Sequence, residues 1–86
     1  MPKIEVYTKD YCPFCVKAMN LLRTKGVNFE KIDITHDTER QMEMMTRAAP
    51  RRTVPQIFIN GTAVGGCDDL YALDAAGKLD PMLADA

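Results

Sequence analysis

The chain has 86 residues, 47% of them hydrophobic, and a formal net charge of -1 at pH 7. A chain of this length and composition buries one modest core, so we expect residues 1–86 to form a single domain. The charge gives no attraction to nucleic acid, and no apolar run approaches the ~20 residues that span a bilayer. Three cysteines cannot form a fully paired secreted framework, and the start of the chain lacks a signal-peptide pattern. We therefore expect a cytoplasmic protein that binds neither nucleic acid nor membrane.

The first half of the chain predicts a strand, a helix and a second strand. Ile4–Thr8 alternates around β-branched residues and predicts a strand, and Asn28–Ile34 predicts another. Between them, Pro13 suits a first helical turn, and Lys25 and Gly26 suit the end of a helix. Helical spacing places one set of residues on its inward face: Cys15, Ala18, Met19 and Leu22.

A second helix is predicted to begin at a cap within Thr35–Asp37 and to run to about Ala48. Its residues divide into two predicted faces. Met42, Met45 and Ala49 face inward, whereas Glu39, Arg40, Glu43 and Arg47 face outward. Of the methionines, Met42, Met44 and Met45 are interpreted as core and helix surface and not as a cofactor site.

The last part of the chain predicts a hairpin and a third helix. Asn60-Gly61 separates two short apolar runs, Gln56–Ile59 and Thr62–Val64, and best supports a type I′ turn. Asp68-Asp69 opens a helix that Gly77 closes. This order predicts a parallel βαβ unit to which the hairpin adds two antiparallel strands.

Two cysteines, Cys12 and Cys15, lie at the predicted start of the first helix. The unpaired N–H groups and the dipole of a helix N-terminus stabilise an anion, and Lys9 adds positive charge, so we expect Cys12 to be the reactive thiolate. Cys15 lies one turn later on the inward face and should stay a shielded thiol. The spacing lets the two sulfurs meet on one turn, so the pair can cycle between dithiol and disulfide.

Two other roles are open to this cysteine pair. A structural disulfide would close a very short loop and gain little entropy in a chain without a secretory pattern. A zinc site would need four ligands, and only Cys67 and His36 could join the pair. The sequence favours a redox centre over both.

Four short motifs resemble those of dithiol glutaredoxins in their order and separation. They are Lys9 at the end of the first strand, CPFC at residues 12–15, TVP at 53–55 and GGCDD at 65–69. They cover nearly the whole chain, which is most similar to the small bacterial glutaredoxins. The resemblance implies an α/β, thioredoxin-like fold in which a four-stranded mixed sheet, in the order βαβ-α-ββ-α, is flanked by three helices.

The same resemblance implies a glutathione-dependent thiol–disulfide oxidoreductase. Cys12 and Cys15 would be the catalytic residues: Cys12 attacks protein disulfides and glutathione mixed disulfides, and Cys15 resolves the protein-bound form. Glutathione would be the reducing co-substrate, with no tightly bound cofactor and no metal. We expect a monomer whose partners are glutathione and disulfide-containing or glutathionylated proteins.

A glutathione site follows from the resemblance as well. Most X-Pro bonds are trans, but the resemblance implies that the bond before Pro55 is cis. A cis bond there would leave the Val54 backbone, next to Thr53, free to pair with the cysteinyl unit of glutathione. Lys9 would attract the glycine carboxylate, and Phe14 would lie along the tripeptide.

The GGCDD motif would hold the other end of glutathione. Gly65 and Gly66 would permit close backbone approach, and the N–H groups of Cys67 and Asp68 would bind the γ-glutamyl carboxylate at a helix N-terminus. An acidic side chain would meet the amino group. Many relatives carry Ser or Thr in place of Asp68, so the sequence leaves open whether Asp68 or Asp69 does this.

Two alternative functions share the fold. A redoxin fed by thioredoxin reductase normally lacks the glycine and aspartate residues of the glutathione site. An iron–sulfur carrier typically has CGFS, so Pro13 and Cys15 argue against it. The physiological protein substrate is open.

Two further features have default interpretations. Cys67 is expected to be a small residue beside the glutathione pocket, with possible exposure that would allow slow oxidation. Arg47, Arg51 and Arg52 crowd the segment before Thr53; a solvated basic face is the default, and steering of glutathione or acidic proteins is the alternative.

Overall fold

Four strands form one mixed sheet in the computed structural model, which describes residues 2–84. They are β1 (Ile4–Thr8), β2 (Glu30–Asp33), β3 (Gln56–Ile59) and β4 (Thr62–Gly65), in the order β2-β1-β3-β4. β2 pairs parallel to β1, and β3 runs antiparallel to both β1 and β4. The predicted mixed sheet, with its parallel first unit and its hairpin, is confirmed. β2 is shorter than the predicted run from Asn28 to Ile34.

Within residues 2–84 the sheet is accompanied by four helices, one more than the predicted three. They are α1 (Pro13–Thr24), α2 (Thr38–Ala48), α3 (Cys67–Ala75) and α4 (Leu79–Ala84). The unpredicted helix is α4, in which Leu79 and Leu83 lie one turn apart and are buried. Pro81 falls in its first turn, where a missing N–H breaks no helical hydrogen bond. No helix in the described part of the chain is long and apolar enough to cross a membrane.

Side chains that alternate along β1 and β3 divide the interior into two cores, one on each face of the sheet. The α1/α3 core joins Ile4, Val6, Ile57 and Ile59 of the sheet to buried residues of α1, α3 and α4. The α2 core joins Tyr7 and Phe58 of the sheet to Ile32, Ile34, Met44 and Ala48. The α1/α3 core includes Cys15 and Cys67, so the redox pair belongs to that face.

The orientation of α2 differs from the prediction. Asp37 caps the helix by accepting the Arg40 N–H at 3.0 Å, as the sequence indicated, but the buried residues are Met44 and Ala48. Met42 is 60% exposed, Ala49 is exposed and Met45 is half-buried. Because methionines occupy several positions around this helix, periodicity did not identify the face that the sheet covers.

Arg47 was predicted to face solvent, but it contacts the sheet. Its guanidinium donates to both Glu5 carboxylate oxygens, at 3.1 and 2.9 Å, and to the Tyr7 hydroxyl at 2.9 Å. It also lies 4.0 Å from the centre of the Phe58 ring. The Arg47 hydrogen bond holds the pKa of Glu5 below its usual range, whereas burial raises the pKa of Tyr7. Arg47 thus fixes α2 against the sheet.

The hairpin between β3 and β4 turns at the predicted dipeptide. Asn60 has φ 52° and Gly61 has φ 81°, so both central residues are in the left-handed region that a type I′ turn requires. This turn brings the end of β4 and the start of α3 back to the edge where β1 leads into α1.

Candidate active site

The redox pair lies at the N-terminus of α1. Cys12 is the N-cap residue, and Pro13 is the first residue of the helix. Cys12 and Cys15 form a disulfide in the structure, with their Cα atoms 5.2 Å apart, so the two sulfurs meet on one turn as predicted. The Cys15 N–H donates to the Cys12 sulfur at 3.2 Å. A sulfur in this position is stabilised as a thiolate when the disulfide is reduced.

The two cysteines differ in accessibility. Cys12 is half-buried, whereas Cys15 is 1% exposed and packs in the α1/α3 core. An incoming thiol or disulfide therefore reaches Cys12 first, and Cys15 is reached through Cys12. This arrangement separates a nucleophile from a resolving thiol.

A groove of about 260 Å³ lies beside the cysteine turn. It is lined by seven of the residues predicted to bind glutathione: Phe14, Thr53, Val54, Pro55, Gly66, Cys67 and Asp68. Three chain segments that are distant in sequence meet here: the start of α1, the loop before β3 and the start of α3. The fold therefore brings the CPFC, TVP and GGCDD motifs to one place.

The wall formed by the loop before β3 contains a cis peptide between Val54 and Pro55. This is the geometry that the resemblance implied. Pro55 is buried, and Val54 packs against both cores. Tertiary packing thus fixes the backbone of this wall.

The opposite wall of the groove is the N-terminus of α3. Gly66 is the N-cap residue, so the first N–H groups of the helix have no intrahelical partner. Gly65 has φ 113°, and a Cβ there would overlap the Asp69 carboxylate and the Arg51 guanidinium. Any other residue at position 65 would therefore meet both backbone strain and steric overlap.

Cys67 lies at the start of α3 and is 5% exposed. The predicted exposure of Cys67 to oxidants is wrong, because the α1/α3 core covers its side chain. Burial also raises the pKa of its thiol. Cys67 thus presents little thiolate, although it lines the groove.

The two neighbouring aspartates have different surroundings. Asp68 is exposed and lines the groove. Asp69 accepts the Gly66 N–H at 2.9 Å and a hydrogen bond from Arg51 at 2.6 Å. The Arg51 guanidinium holds the pKa of Asp69 below its usual range. Asp69 thus has a cationic partner within the protein. Unlike Asp68, it is not one of the residues that line the groove.

Residues 4–64 match the family model described as glutaredoxin. The chain belongs to the glutaredoxin family.

Similar glutaredoxins cover nearly the whole chain. Glutaredoxin 3 of Escherichia coli is 52% identical over 83 residues, which are 96% of this chain and 99% of that protein. A probable glutaredoxin of Synechocystis is 54% identical over 81 residues, 94% of this chain and 92% of its own length. The solution structure of a Brucella melitensis glutaredoxin has a TM-score of 0.82 at 48% identity, over 94% of this chain and 87% of that one. A buckwheat glutaredoxin–glutathione complex has a TM-score of 0.86 at 30% identity, over 95% of this chain and 76% of that one.

Family membership and the cysteine geometry together establish the reaction type. Glutaredoxins are thiol–disulfide oxidoreductases, and this glutaredoxin has a Cys12–Cys15 pair at disulfide distance at the start of α1. The predicted enzyme class and thioredoxin-like fold are confirmed. Within residues 2–84, no group of three or more His, Cys, Asp or Glu residues could hold a metal ion.

Two basic residues near the pair are not among the seven predicted residues that line the groove. Lys9 does not line the groove but a separate depression of about 460 Å³ that includes Cys12 and Lys31. Arg51 does line the groove, although the sequence gave a solvated basic face as its default and steering of glutathione or acidic proteins only as the alternative. The signal that could have identified it is the Gly65-Gly66 pair, which leaves room for a large side chain across the turn.

Proposed function

We propose that this glutaredoxin uses glutathione to reduce protein disulfides and glutathione mixed disulfides through Cys12 and Cys15. The observation that carries the proposal is the groove beside the cysteine turn, where the Val54-Pro55 loop faces the N-terminus of α3. A peptide thiol that lies in this groove can present its sulfur next to Cys12. The buckwheat relative, which has been solved as a glutathione complex, supports the same ligand.

The reaction is a series of thiol–disulfide exchanges that starts on the reduced enzyme. Cys12 thiolate attacks one sulfur of a protein disulfide, which forms a Cys12–substrate disulfide and releases the other substrate sulfur as a thiolate. Cys15 then attacks Cys12, which releases the second substrate thiol and forms the Cys12–Cys15 disulfide. Two glutathione molecules reduce this disulfide in turn, through a Cys12–glutathione intermediate, and leave as glutathione disulfide.

Binding of glutathione would use both walls of the groove. The Val54 backbone pairs with the cysteinyl unit in the manner of a short added strand, beside Thr53 and Pro55. The N–H groups of Cys67 and Asp68, at the start of α3, bind the γ-glutamyl carboxylate. Gly66 keeps that turn narrow enough for the ligand to approach the backbone.

The glycine end of glutathione would lie toward the cysteine turn. Phe14 is 60% exposed and lines the groove, so its ring can cover the tripeptide. Lys9 is exposed in the adjoining depression and can attract the glycine carboxylate. We further propose a monomer that needs no tightly bound cofactor and works in a reducing cytoplasm, where glutathione is present and the odd number of cysteines is tolerated.

A coupled assay tests this function. Glutathione, glutathione reductase and NADPH are supplied with a small glutathione mixed disulfide, and NADPH oxidation is followed at increasing glutathione concentration. The proposal predicts saturable, enzyme-dependent oxidation of NADPH. A parallel assay replaces the glutathione system with thioredoxin reductase; faster turnover there would show that a thioredoxin-reductase-fed redoxin is the correct function.

A further inference from the structure

The Arg51 guanidinium lies across the Gly65-Gly66 turn at the rim of the groove. Its Nη1 donates to Asp69 Oδ2 at 2.6 Å, and the same oxygen accepts the Gly66 N–H at 2.9 Å. One carboxylate oxygen therefore holds a side chain from the loop before β3 and the N-cap of α3 together. The negative charge of Asp69 is thus already balanced by Arg51 before a ligand enters.

The two glycines make room for this arrangement. A Cβ at Gly65 would overlap Arg51 and Asp69, and one at Gly66 would lie 3.4 Å from Arg51 Nη2 and 3.4 Å from the Pro55 carbonyl oxygen. The Arg51 N–H donates to the Ala48 carbonyl at 2.9 Å, which fixes the base of the side chain at the end of α2. Arg51 consequently connects the two walls of the groove.

Arg51 and Asp68 present opposite charges to the groove. Both residues line it and both are exposed, whereas Asp69 is not among the lining residues. A guanidinium has five N–H donors in a planar fork, so a single oxygen of Asp69 leaves several donors for a second partner. The groove therefore presents two opposite charges. Arg51 is held in place by Asp69, and Asp68 is the carboxylate that lines the groove.

We propose that Arg51 is a specificity-determining residue for the γ-glutamyl end of glutathione, and that Asp69 is a positioning residue that acts through Arg51. This inference rests on the proposed glutathione dependence. The γ-glutamyl end is a zwitterion with one carboxylate and one ammonium group. Arg51 supplements the α3 N–H groups at the carboxylate, and Asp68, not Asp69, receives the ammonium group.

A matched pair of arginine variants tests the first half of the proposal. Arg51→Met and Arg52→Met remove the same charge from adjacent residues, but Arg52 lines a different depression, beside Met42 and Met45. Loss of a charged hydrogen bond should raise KM for glutathione about tenfold in Arg51→Met. Its kcat and the alkylation rate of Cys12 should change little, and Arg52→Met should resemble the wild type. Equal increases of KM in both variants would indicate general attraction by basic residues and overturn the proposal.

Two glutathione analogues test the division between the aspartates. One is 4-aminobutyryl-cysteinylglycine, which lacks the α-carboxylate, and the other is N-acetylglutathione, which lacks the α-ammonium charge. Wild-type enzyme should prefer glutathione to both. Arg51→Met should lose much of its preference over the first analogue but keep the part that the α3 N–H groups provide, and Asp68→Asn should lose its preference over the second. Asp69→Asn should lose the same preference as Arg51→Met, and a double Arg51→Met/Asp69→Asn variant should be no worse than Arg51→Met alone.

The analogue series separates failure of this inference from failure of the proposed function. A wild-type enzyme that does not distinguish glutathione from either analogue would contradict the glutathione site altogether. A wild-type enzyme that does distinguish them, while Asp69→Asn abolishes discrimination against N-acetylglutathione, would make Asp69 the ammonium ligand and overturn only the inference. Thermal melts followed by circular dichroism check folding. If Arg51→Met unfolds, Arg51→Lys replaces it as the test variant. Arg51→Lys keeps the positive charge, so its KM for glutathione should lie closer to the wild-type value than the KM of Asp69→Asn. An Arg51→Lys variant with a KM as high as that of Asp69→Asn would contradict the role of the Arg51 charge.

Discussion

Arg47 and Arg51 lie one helical turn apart in sequence, and each pairs with a carboxylate, yet the two pairs differ in burial. Side-chain exposure is 28% for Arg47 and 10% for its partner Glu5, but 47% for Arg51 and 43% for its partner Asp69. Arg47 holds α2 on the sheet and lies against Phe58 of the α2 core. Arg51 lies at the groove on the side of the redox pair.

This difference indicates what each pair contributes. A charge that has lost most of its water must be paired within the protein, so removal of one partner leaves an uncompensated charge and destabilises the fold. An exposed pair contributes only about 0–1 kcal/mol to stability, because water and salt screen it. Arg47 therefore contributes mainly to the stability of the fold. The Arg51–Asp69 pair contributes little stability, so stability does not explain why Arg51 is held at the rim of the groove.

The largest expected effect is on the redox pair itself. Cys12→Ser should abolish both deglutathionylation and protein-disulfide reduction, because Cys15 is buried and lacks the position of Cys12 at the helix terminus. Cys15→Ser should retain deglutathionylation, since a second glutathione can attack the Cys12-bound one, while losing most protein-disulfide reduction. Coupled assays with a glutathione mixed disulfide and with an intramolecular protein disulfide measure the two activities. Loss of both activities in a folded Cys15→Ser variant would contradict the monothiol step.

A second prediction concerns the order in which the three cysteines react. In reduced protein, iodoacetamide should alkylate Cys12 rapidly already at about pH 6, because the α1 N-terminus stabilises its thiolate. Cys15 and Cys67 should react much more slowly, because both are buried and burial raises the pKa of Cys67. Mass spectrometry of quenched samples identifies the modified residues. A Cys12 rate that rises only above about pH 8 would show that the helix terminus does not activate it.

The α2 face should respond in stability and not in catalysis. Arg47→Met leaves the Glu5 carboxylate without its partner, so we expect the free energy of unfolding to fall by about 2 kcal/mol. The matched control is Arg40→Met, which breaks the exposed Arg40–Glu43 pair on the same helix and should cost about 0.5 kcal/mol or less. Urea denaturation gives both values, and KM for glutathione should be unchanged in both variants. Equal losses would mean that burial does not separate these two pairs.

The smallest expected effect is a pH dependence that depends on Glu5. The Arg47 hydrogen bond depresses the folded-state pKa of Glu5 below its ordinary value of 4.5, so its stabilising contribution is present above that value. The contribution is lost as pH falls through the depressed folded-state pKa. Between pH 6 and pH 3, Glu5→Gln should therefore lose less stability than the wild type. Urea midpoints across this range measure the difference, and parallel curves for the two proteins would contradict it.

Local sequence was sufficient where neighbouring residues decide the conformation. Pro13 predicted the start of α1, and the cysteine spacing predicted that the two sulfurs meet on one turn. Asn60-Gly61 predicted the turn with two positive φ values. Asp37 was predicted within the α2 cap and is the N-cap residue. These features depend on hydrogen bonds and sterics within a few residues, so they can be deduced without knowledge of the fold.

The TVP and GGCDD motifs were recognised from the chain, but their meeting depends on the sheet. Seven of the residues that the sequence predicted to bind glutathione line the groove. They were predicted from the family resemblance and not from periodicity. What it could not separate was Asp68 from Asp69, since the two are adjacent and chemically identical. The distinction arises from Arg51, which lies 18 residues away from Asp69 in the chain.

Tertiary structure decided the features that depend on distant contacts. The sequence predicted Met42, Met45 and Ala49 on the inner face of α2, but the structure buries Met44 and Ala48. The same helix is held to the sheet by Arg47, whose carboxylate partner Glu5 is 42 residues away. α4 forms because Leu79 and Leu83 complete the α1/α3 core, although six residues alone make too few hydrogen bonds to hold a helix in water. The chain therefore specified its redox turn and its hairpin locally. Long-range packing and charge pairing decided which helix faces are buried and which of the two aspartates pairs with Arg51.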